Sequence, residues 1–396
     1  MSVHPDLHRH YVRACKNLGQ PENPFISHVL QEVDKNDKIK WTKGITLKIA
    51  GNNHLVPVQR VTGDDLQVLA SVLLNTAFVT GLDLRCNTLT DTGAKHMATF
   101  LQEYSALRYL NLMFNDIGTS GAEQIAGALH RNETLVYLRM TGNKIGNKGG
   151  MFFASMLQIN STLEKLDLGD CDIGMQCLIA IATALTRNRS VKAINLNRPL
   201  LYSQEEEATV HVALMLKSNS SLVELHLCKH EMKNFGVERL CEALYENSSL
   251  KYLDLSWLSV VSNNISGKGL TALSESMKTN VELSYIYIWG NKIDEATCVI
   301  CRDTCYSFFH MTEAGELWFN TLKDGQIRRR MEPVLEDSAH LNISVLWAIV
   351  PTLVKTYSSD IKEISYSSDY AFMWEALTSY KDKKSVRYLS RFKFPV

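Results

Sequence analysis

Residues 79–89 read VTGLDLRCNTL, residues 107–117 read LRYLNLMFNDI and residues 135–145 read LVYLRMTGNKI. The three segments start 28 residues apart, with apolar residues at their first, fourth, sixth and eleventh positions and asparagine at the ninth. The alternation of apolar and other residues around positions four and six predicts a short β-strand that has one face in the hydrophobic core. The asparagine follows the strand, where its amide can pair with backbone groups of a turn.

The second half of each period predicts a helix. Gly93, Gly121 and Gly149 each precede a run of apolar residues that are spaced three and four apart. A 28-residue unit made of a strand, an asparagine turn and a helix is the pattern of a long leucine-rich repeat. The unit can be followed from a degenerate first copy around Leu47 to a last copy that starts at Leu283.

Later copies depart from the pattern at the ninth position. Cys171 stands there in the repeat that begins at Leu163, and cysteine is an accepted substitute for asparagine in this turn. Pro199 and His230 stand there in the next two repeats. The segment 258–262 interrupts a further repeat, and removing its five residues restores the period. We therefore expect this segment to bulge from one turn without breaking the array.

The repeats define the domain organisation. We predict an α/β leucine-rich repeat solenoid, a horseshoe with parallel strands on the concave face and helices on the convex face. Residues 41–297 hold about eight repeats plus one degenerate repeat. Residues 1–40 carry helical spacing and are predicted to form an N-terminal helical cap. Residues 298–396 are interpreted as a C-terminal cap and a basic tail of unassigned fold.

Composition narrows the classes of function. The chain has 42 basic and 42 acidic residues, so its charge balance does not favour nucleic-acid binding. We expect at most a weak contact of the basic tail at 381–393 with RNA or acidic proteins. The N-terminus lacks a secretory signal, and the longest apolar run, 343–354, is too short to span a bilayer. Nine cysteines are expected to be reduced thiols in the cytoplasm or nucleus.

The sequence does not indicate an enzyme. It has no nucleophile elbow, zinc-protease or dinucleotide-binding motif, so we expect no catalytic residues, no cofactor and no small-molecule substrate. Cys298, Cys301, Cys305 and His310 come nearest to a zinc site, but a second ligand pair is missing and we predict no metal. Four asparagines match the glycosylation sequon, and we assign them instead to helix-to-strand turns: Asn132, Asn160, Asn188 and Asn247.

The concave face is the candidate binding surface. Residues that flank the core leucines should stack in columns, since neighbouring strands lie about 4.8 Å apart. Exposed aromatic residues beside charges are typical of protein-binding hot spots. The alternative is that these rings pack on each other or beneath the C-terminal segment. The candidates are Arg85, Tyr109, Asn111, Phe114, Tyr137, Arg139, Asp167, His226, Tyr252, Trp257, Tyr285, Tyr287 and Trp289.

The repeat resembles the ribonuclease-inhibitor-like class of leucine-rich repeats, with asparagine at the turn and glycine at the helix start. The segments HYVRACKNLGQPENP (10–24) and LSYIYIWGNKIDEATC (283–298) are similar to one metazoan family within that class. This resemblance implies a non-enzymatic scaffold of ciliated, germ and stem cells, associated with the ciliary axoneme or with the nucleolus. The inserted segment 258–262 and the tail after Val299 depart from the resemblance.

These observations favour a non-enzymatic protein-binding scaffold that serves as a structural or adaptor component of a ciliary axonemal assembly, in the cytoplasm and on the cytoskeleton. One alternative is a nuclear or nucleolar adaptor involved in ribosome biogenesis or stem-cell regulation. An alternative of another class is a regulator of a small GTPase, because Ran-activating proteins have similar repeats. The tail here is basic, whereas those proteins carry an acidic C-terminal tract.

Overall fold

The computed structural model describes residues 6–35, 44–201, 206–255, 265–280 and 282–287, together with two later strands at 307–311 and 317–321. Among the candidate site residues, Trp257 and Trp289 lie outside the described residues. For Tyr285 and Tyr287 the structure gives the backbone position only. The inserted segment 258–262, the three candidate zinc-ligating cysteines and the basic tail also lie outside the described residues.

Nine parallel strands form one open sheet, and each strand pairs with the next one along the chain. Residues 28 apart face each other in the regular part, as Leu82, Leu110 and Leu138 do. The predicted repeat register is therefore confirmed. The strands are β1 (Ile45–Lys48), β2 (Val79–Asp83), β3 (Tyr109–Asn111), β4 (Tyr137–Arg139), β5 (Lys165–Asp167), β6 (Ala193–Asn195), β7 (Glu224–His226), β8 (Tyr252–Asp254) and β9 (Tyr285–Tyr287).

Ten helices lie among the described residues, and from the third onward each one connects two consecutive strands and packs beside its neighbours. This alternation confirms the predicted α/β solenoid. The helices are α1 (Leu7–Leu18), α2 (Pro24–Asp34), α3 (Gly63–Leu73), α4 (Asp91–Glu103), α5 (Thr119–Leu129), α6 (Gly146–Leu157), α7 (Met175–Leu185), α8 (Glu207–Ser218), α9 (Asn234–Glu246) and α10 (Gly267–Thr279). The strands β10 (Ser307–Met311) and β11 (Leu317–Thr321) pair antiparallel.

One continuous core runs between the sheet and the helices. The fourth, sixth and eleventh positions of each regular repeat are buried, for example Leu110, Leu112 and Ile117. The recurring glycine allows adjacent helices to approach closely. A Cβ added at Gly121 would lie 2.8 Å from the Cβ of Ala94 on α4, so a larger residue would push the two helices apart.

The first two helices pack at the start of this core. Leu7 and Tyr11 on α1 and Phe25 on α2 are buried within the same hydrophobic cluster as the repeat leucines. The backbone N–H of Asn23 donates to the Tyr11 hydroxyl oxygen at 3.1 Å, and this bond joins the two helices. Asn23 in turn donates its side-chain Nδ2 to Asp65 of α3 at 3.1 Å. The N-terminal pair is thus tied to the first repeat by both apolar and polar contacts.

The turns that lead from a strand into a helix, here called strand-exit turns, are held by the ninth repeat position. Asn115 donates from Nδ2 to the carbonyl oxygens of Leu84 and Leu112, both at 3.0 Å. Its Oδ1 accepts from the backbone N–H of Leu89 at 3.1 Å. Asn87 and Asn143 make equivalent bonds. The predicted pairing of this asparagine with turn backbone is confirmed.

Later strand-exit turns use weaker substitutes. Cys171 donates from Sγ to the carbonyl oxygen of Met140 at 3.3 Å. The Nε2 of His230 is hydrogen-bonded to the carbonyl oxygen of Leu196 at 2.9 Å. Burial lowers the pKa of His230 to about 4, so its ring is neutral near pH 7 and Nε2 carries the donated hydrogen. Pro199 is buried at the same position and has no side-chain donor.

The turns that lead from a helix into a strand, here called helix-exit turns, are held by a second asparagine. Asn160 donates from Nδ2 to the carbonyl oxygens of Leu129 at 2.7 Å and Asn132 at 3.1 Å. Its Oδ1 accepts from the backbone N–H groups of Thr162 at 3.0 Å and Leu163 at 2.8 Å. The same four bonds recur at Asn188, Asn219, Asn247 and Asn280.

These contacts also settle the role of the sequons. The four asparagines that match the sequon are at most 8% exposed, and each is bonded to backbone groups of its own turn. A buried amide that is bonded within its turn cannot accept a glycan in the folded chain. The assignment of these asparagines to helix-to-strand turns is confirmed.

Several helices receive their N-terminal cap from the repeat before them. The N-cap residues of α5, α7, α9 and α10 make no side-chain cap bond of their own. Instead, an oxygen near the start of the preceding helix accepts from backbone N–H groups at the start of the next. The four residues that accept in this way are Asp91 for α5, Asn147 for α7, Glu206 for α9 and Asn234 for α10.

Candidate protein-binding face

The face of the sheet that carries the third and fifth repeat positions is the concave face. Strand pairing places the third positions in one column, from Gly81 on β2 to Tyr285 on β9. The fifth positions form a second column, from Asp83 to Tyr287. The expectation that same-position residues form continuous columns is confirmed.

Short polar residues of the fifth column fold back onto their own backbone. The Oδ1 of Asn111 accepts from the N–H of Met113 at 3.0 Å, and the Oδ1 of Asp167 accepts from the N–H of Gly169 at 3.2 Å. Such turns, in which the side chain accepts from the second residue on, end the strands. Asn111 is fully buried, so this candidate offers no exposed surface on the concave face.

Four side chains on β3, β4 and β5 form an aromatic–cationic patch: Tyr109, Tyr137, Arg139 and Lys165. The rings of Tyr109 and Tyr137 lie 5.3 Å apart at a tilted angle. The Arg139 guanidinium and the Lys165 ammonium lie 5.9 Å and 5.7 Å from the centre of the Tyr137 ring. Burial raises the pKa of the Tyr137 hydroxyl, which therefore stays neutral. The patch is a preassembled surface with Tyr137 at its centre.

Asp167 holds this patch in place. Its Oδ2 lies 3.3 Å from the Nε of Arg139, and its Oδ1 accepts from the hydroxyl of Thr141. Asp167 is only 5% exposed, so it offers little surface to a partner. Its contribution is to fix the direction of the Arg139 guanidinium.

Four side chains on β7 and β8 form an acidic patch: Glu224, His226, Tyr252 and Asp254. The Nε2 of His226 lies 2.7 Å from Glu224, and its Nδ1 lies 3.4 Å from Asp254. Burial by itself would lower the pKa of His226, but the hydrogen bonds to Asp254 and Glu224 raise it to about 9. The bond to His226 also lowers the pKa of Glu224. A protonated imidazole therefore lies between two carboxylates near pH 7.

Arg85 and Phe114 lie at the edge of the concave face. The Arg85 side chain is 44% exposed and lies 3.6 Å from Asp83. Phe114 is half exposed, and a Cβ added at Gly142 would lie 2.3 Å from its ring. The ring therefore covers the Gly142 backbone and is held in position, while its outer half faces solvent.

The residue before the ninth position adopts a left-handed backbone in each strand-exit turn from the second to the seventh strand. Only one of these residues is glycine, so the signal in the sequence is weak. The six residues are Cys86, Phe114, Gly142, Asp170, Arg198 and Lys229. This backbone turns their side chains along the rim of the concave face.

The described residues give no sign of a metal site or a membrane span. No group of three or more potential metal ligands is found among them. Their six cysteines are all free, and no described helix combines the length and hydrophobicity needed to cross a membrane. Burial raises the pKa of the Cys177 and Cys241 thiols to about 12, as expected for inert core thiols.

A parallel sheet in which every strand is followed by a helix, with asparagine-bonded turns at both ends, defines a leucine-rich repeat protein, a class built for protein–protein interaction. A family model described as "Leucine Rich repeat" matches residues 77–98, 106–126, 131–154 and 160–182. By similarity to the relatives described next, the chain belongs to the leucine-rich repeat-containing protein 34 family.

Two mammalian relatives establish this membership. The chain is 54% identical over 349 residues to leucine-rich repeat-containing protein 34 of Homo sapiens, with 75% of each chain covered. It is 50% identical over 349 residues to the Mus musculus protein, with 75% of this chain and 84% of that protein covered. The sequence-based resemblance to this family is confirmed.

Three solved structures are similar at low identity. Leiomodin-1 actin-binding site 2 matches at a TM-score of 0.32 and 15% identity, over 41% of this chain and 88% of that chain. The tropomodulin C-terminal domain from Caenorhabditis elegans matches at 0.34 and 16% identity, over 41% and 93%. The yeast Rad7 and Elc1 complex matches at 0.31 and 12% identity, over 75% and 85%.

Proposed function

We propose that this chain is a non-enzymatic scaffold that holds a polypeptide segment of a partner on its concave face, as a structural or adaptor component of a ciliary axonemal assembly. The observation that carries the proposal is the aromatic–cationic patch. Large, partly exposed aromatic rings beside cations are typical of protein-binding hot spots. Leucine-rich repeat proteins characteristically use this part of the solenoid as an extended binding surface.

The patch is organised before any partner arrives. Tyr137 contacts Tyr109, Arg139 and Lys165, and Arg139 is fixed by Asp167. A surface whose side chains are already ordered loses less conformational entropy on binding. This preorganisation supports a role in stable assemblies, where a partner is held for long times.

The ciliary setting is supported by the resemblance of residues 10–24 and 283–298 to the family. The nucleolar adaptor is the alternative for location, and regulation of a small GTPase is the alternative for activity. Proximity labelling in ciliated cells separates the locations, because it reports axonemal or nucleolar neighbours. A GTP-hydrolysis assay tests the third hypothesis, and stimulation that is lost on mutation of Arg85 or Arg139 would replace the scaffold proposal.

The binding face is tested by removing its rings. The variant Tyr109→Ala/Phe114→Ala/Tyr137→Ala should unfold cooperatively in urea, as a folded solenoid does. It should lower partner recovery at least tenfold, because truncation of hot-spot residues costs about 2 kcal/mol or more of binding free energy. The control is Phe235→Ala/Tyr245→Ala on α9, which removes two rings that are about as exposed as Phe114 but lie on a helix. Equal recovery by both variants would move the binding site away from the concave face.

A further inference from the structure

The two patches of the concave face carry exposed charges of opposite sign. In the aromatic–cationic patch Arg139 is paired with Asp167, and the exposed Lys165 adds a positive charge. In the acidic patch the partly exposed Glu224 carboxylate is bonded to His226 and also feels the charge of Lys165. Lys165 on β5 is therefore the positive end of this stretch of the concave face, toward the N-terminal repeats, and Glu224 on β7 is its negative end.

Lys165 is the exposed member of the positive end. No carboxylate among the described residues forms an ion pair with it, and its ammonium lies over the Tyr137 ring. On the other side, the Glu224 side chain is 36% exposed and is held by His226. These two charges flank Ala193 in the third column, where the side chain is a single methyl group.

Only the small, buried side chain of Ala193 separates the two charges in this column. Lys165, Ala193 and Glu224 lie on adjacent strands, so the α-carbons of the two charged residues are about 10 Å apart, twice the strand spacing. A partner segment that crosses the strands can therefore meet both charges at once.

We infer that the partner segment is itself charge-segregated, with an acidic residue against Lys165 and Tyr137 and a basic residue about 10 Å away against Glu224. This inference rests on the proposed function, because it assumes that the concave face binds a polypeptide. A neutral or oppositely arranged segment would cover the Lys165 ammonium and the Glu224 carboxylate without pairing them, and unpaired desolvated charges oppose binding. The spacing corresponds to about three residues of an extended segment or about seven residues of a helix.

The arrangement also fixes the direction of binding. The acidic part of the partner lies toward β4 and β5, and the basic part lies toward β7. Phe114 and Lys229 occupy the equivalent rim position of two repeats, beside the positive and the negative end respectively. They are therefore suited to report which part of a partner lies at which end.

The experiment places a photo-crosslinking benzoylphenylalanine at Phe114 or at Lys229 in the full chain, irradiates it in a lysate of ciliated cells and identifies the cross-linked peptides by mass spectrometry. Support requires an acidic peptide at position 114 and a basic peptide of the same partner at position 229. Peptides without this segregation, the reverse arrangement, or cross-links at one position only would overturn the inference while leaving concave-face binding intact. Absence of cross-links at both positions, with full recovery by the triple alanine variant, would overturn the proposed function itself.

Charge variants provide a second measurement on the partner so identified. Lys165→Glu should lower its recovery about fivefold at low salt and much less at high salt, because an exposed charge acts through screened electrostatics. The matched control Lys144→Glu changes an exposed lysine in a strand-exit turn and should leave recovery unchanged. Glu224→Gln retains the hydrogen bond to His226 and should weaken recovery about threefold. If Lys165→Glu strengthens recovery or matches its control, the inference is wrong.

Discussion

The strand-exit and helix-exit turns perform the same task with different tolerance for substitution. Both must pair backbone groups that are buried between neighbouring repeats. The strand-exit position holds asparagine in three successive turns and then cysteine, proline and histidine. The helix-exit position holds asparagine in the six turns that follow α5 to α10, whereas Thr76 and Tyr104 occupy it after α3 and α4.

The difference follows from the number of groups that each side chain serves. Asn160 at a helix exit joins two carbonyl oxygens and two N–H groups, and one of those oxygens belongs to Asn132, the preceding helix-exit asparagine. Among the standard side chains, only an amide of this length supplies two donors and a shared acceptor. Cys171 at a strand exit supplies a single donor to Met140, and that turn still forms. From α5 onward, the position that serves fewer groups therefore accepts more residue types.

The largest test of this comparison is Asn160→Ala. The change removes four hydrogen bonds and leaves buried backbone groups unpaired, so we expect a loss of about 4 kcal/mol in the free energy of unfolding. Asn143→Ala, at a strand exit, removes three hydrogen bonds and should cost somewhat less, about 3 kcal/mol. Urea denaturation followed by circular dichroism measures both. Equal losses would show that the two kinds of turn depend on asparagine to the same degree.

The next test uses the neutral histidine at a strand exit. Burial holds the pKa of His230 at about 4, whereas an unfolded histidine titrates near 6.5. Between these values the unfolded chain binds the extra proton, so stability is fully present above pH 6.5 and falls as the pH drops toward 4. This group alone should cost about 3 kcal/mol over that interval. His230→Asn keeps a donor for Leu196 and removes this dependence.

The measurement is the free energy of unfolding of both proteins at pH 7, 6, 5 and 4. Carboxylates contribute equally to both curves, so the difference between the curves isolates His230. Parallel curves for the two proteins would mean that the ring is accessible to protons in the folded state. His226 provides an internal contrast, because its raised pKa adds stability that is lost only as the pH rises from about 6.5 toward 9.

The smallest effect is expected from exchanging the two side chains that naturally occupy the strand-exit position. Cys171→Asn supplies a stronger donor and an acceptor, and should stabilise the chain by about 1 kcal/mol. Asn143→Cys should destabilise it by a similar amount. Thermal unfolding of the two single variants checks the signs. If Cys171→Asn is destabilising, the packing around the buried sulfur outweighs the hydrogen bonds.

Much of the fold could be predicted because the repeat is written in the spacing of the residues. The positions of Leu110 and Leu112 gave the strand, and Asn115 gave the turn that follows it. The candidate face was predicted less completely. Tyr109 and Tyr137 do meet on the concave face, but Asn111, two residues from Tyr109, is buried and bonded to its own turn. Residue type alone does not show whether a short polar side chain faces out or folds back.

Sequence by itself determined the period, the class of repeat, the register of the strands and the columns of the concave face, because these follow from chain-local spacing that is repeated many times. Only the tertiary structure decided which residues are joined across repeats. Asp91 caps the helix of the next repeat, Asn160 bonds to the turn before it, and His226 is protonated between two neighbouring strands. Each of these depends on distances between side chains from different strands or repeats, and such distances exist only once the repeats are stacked.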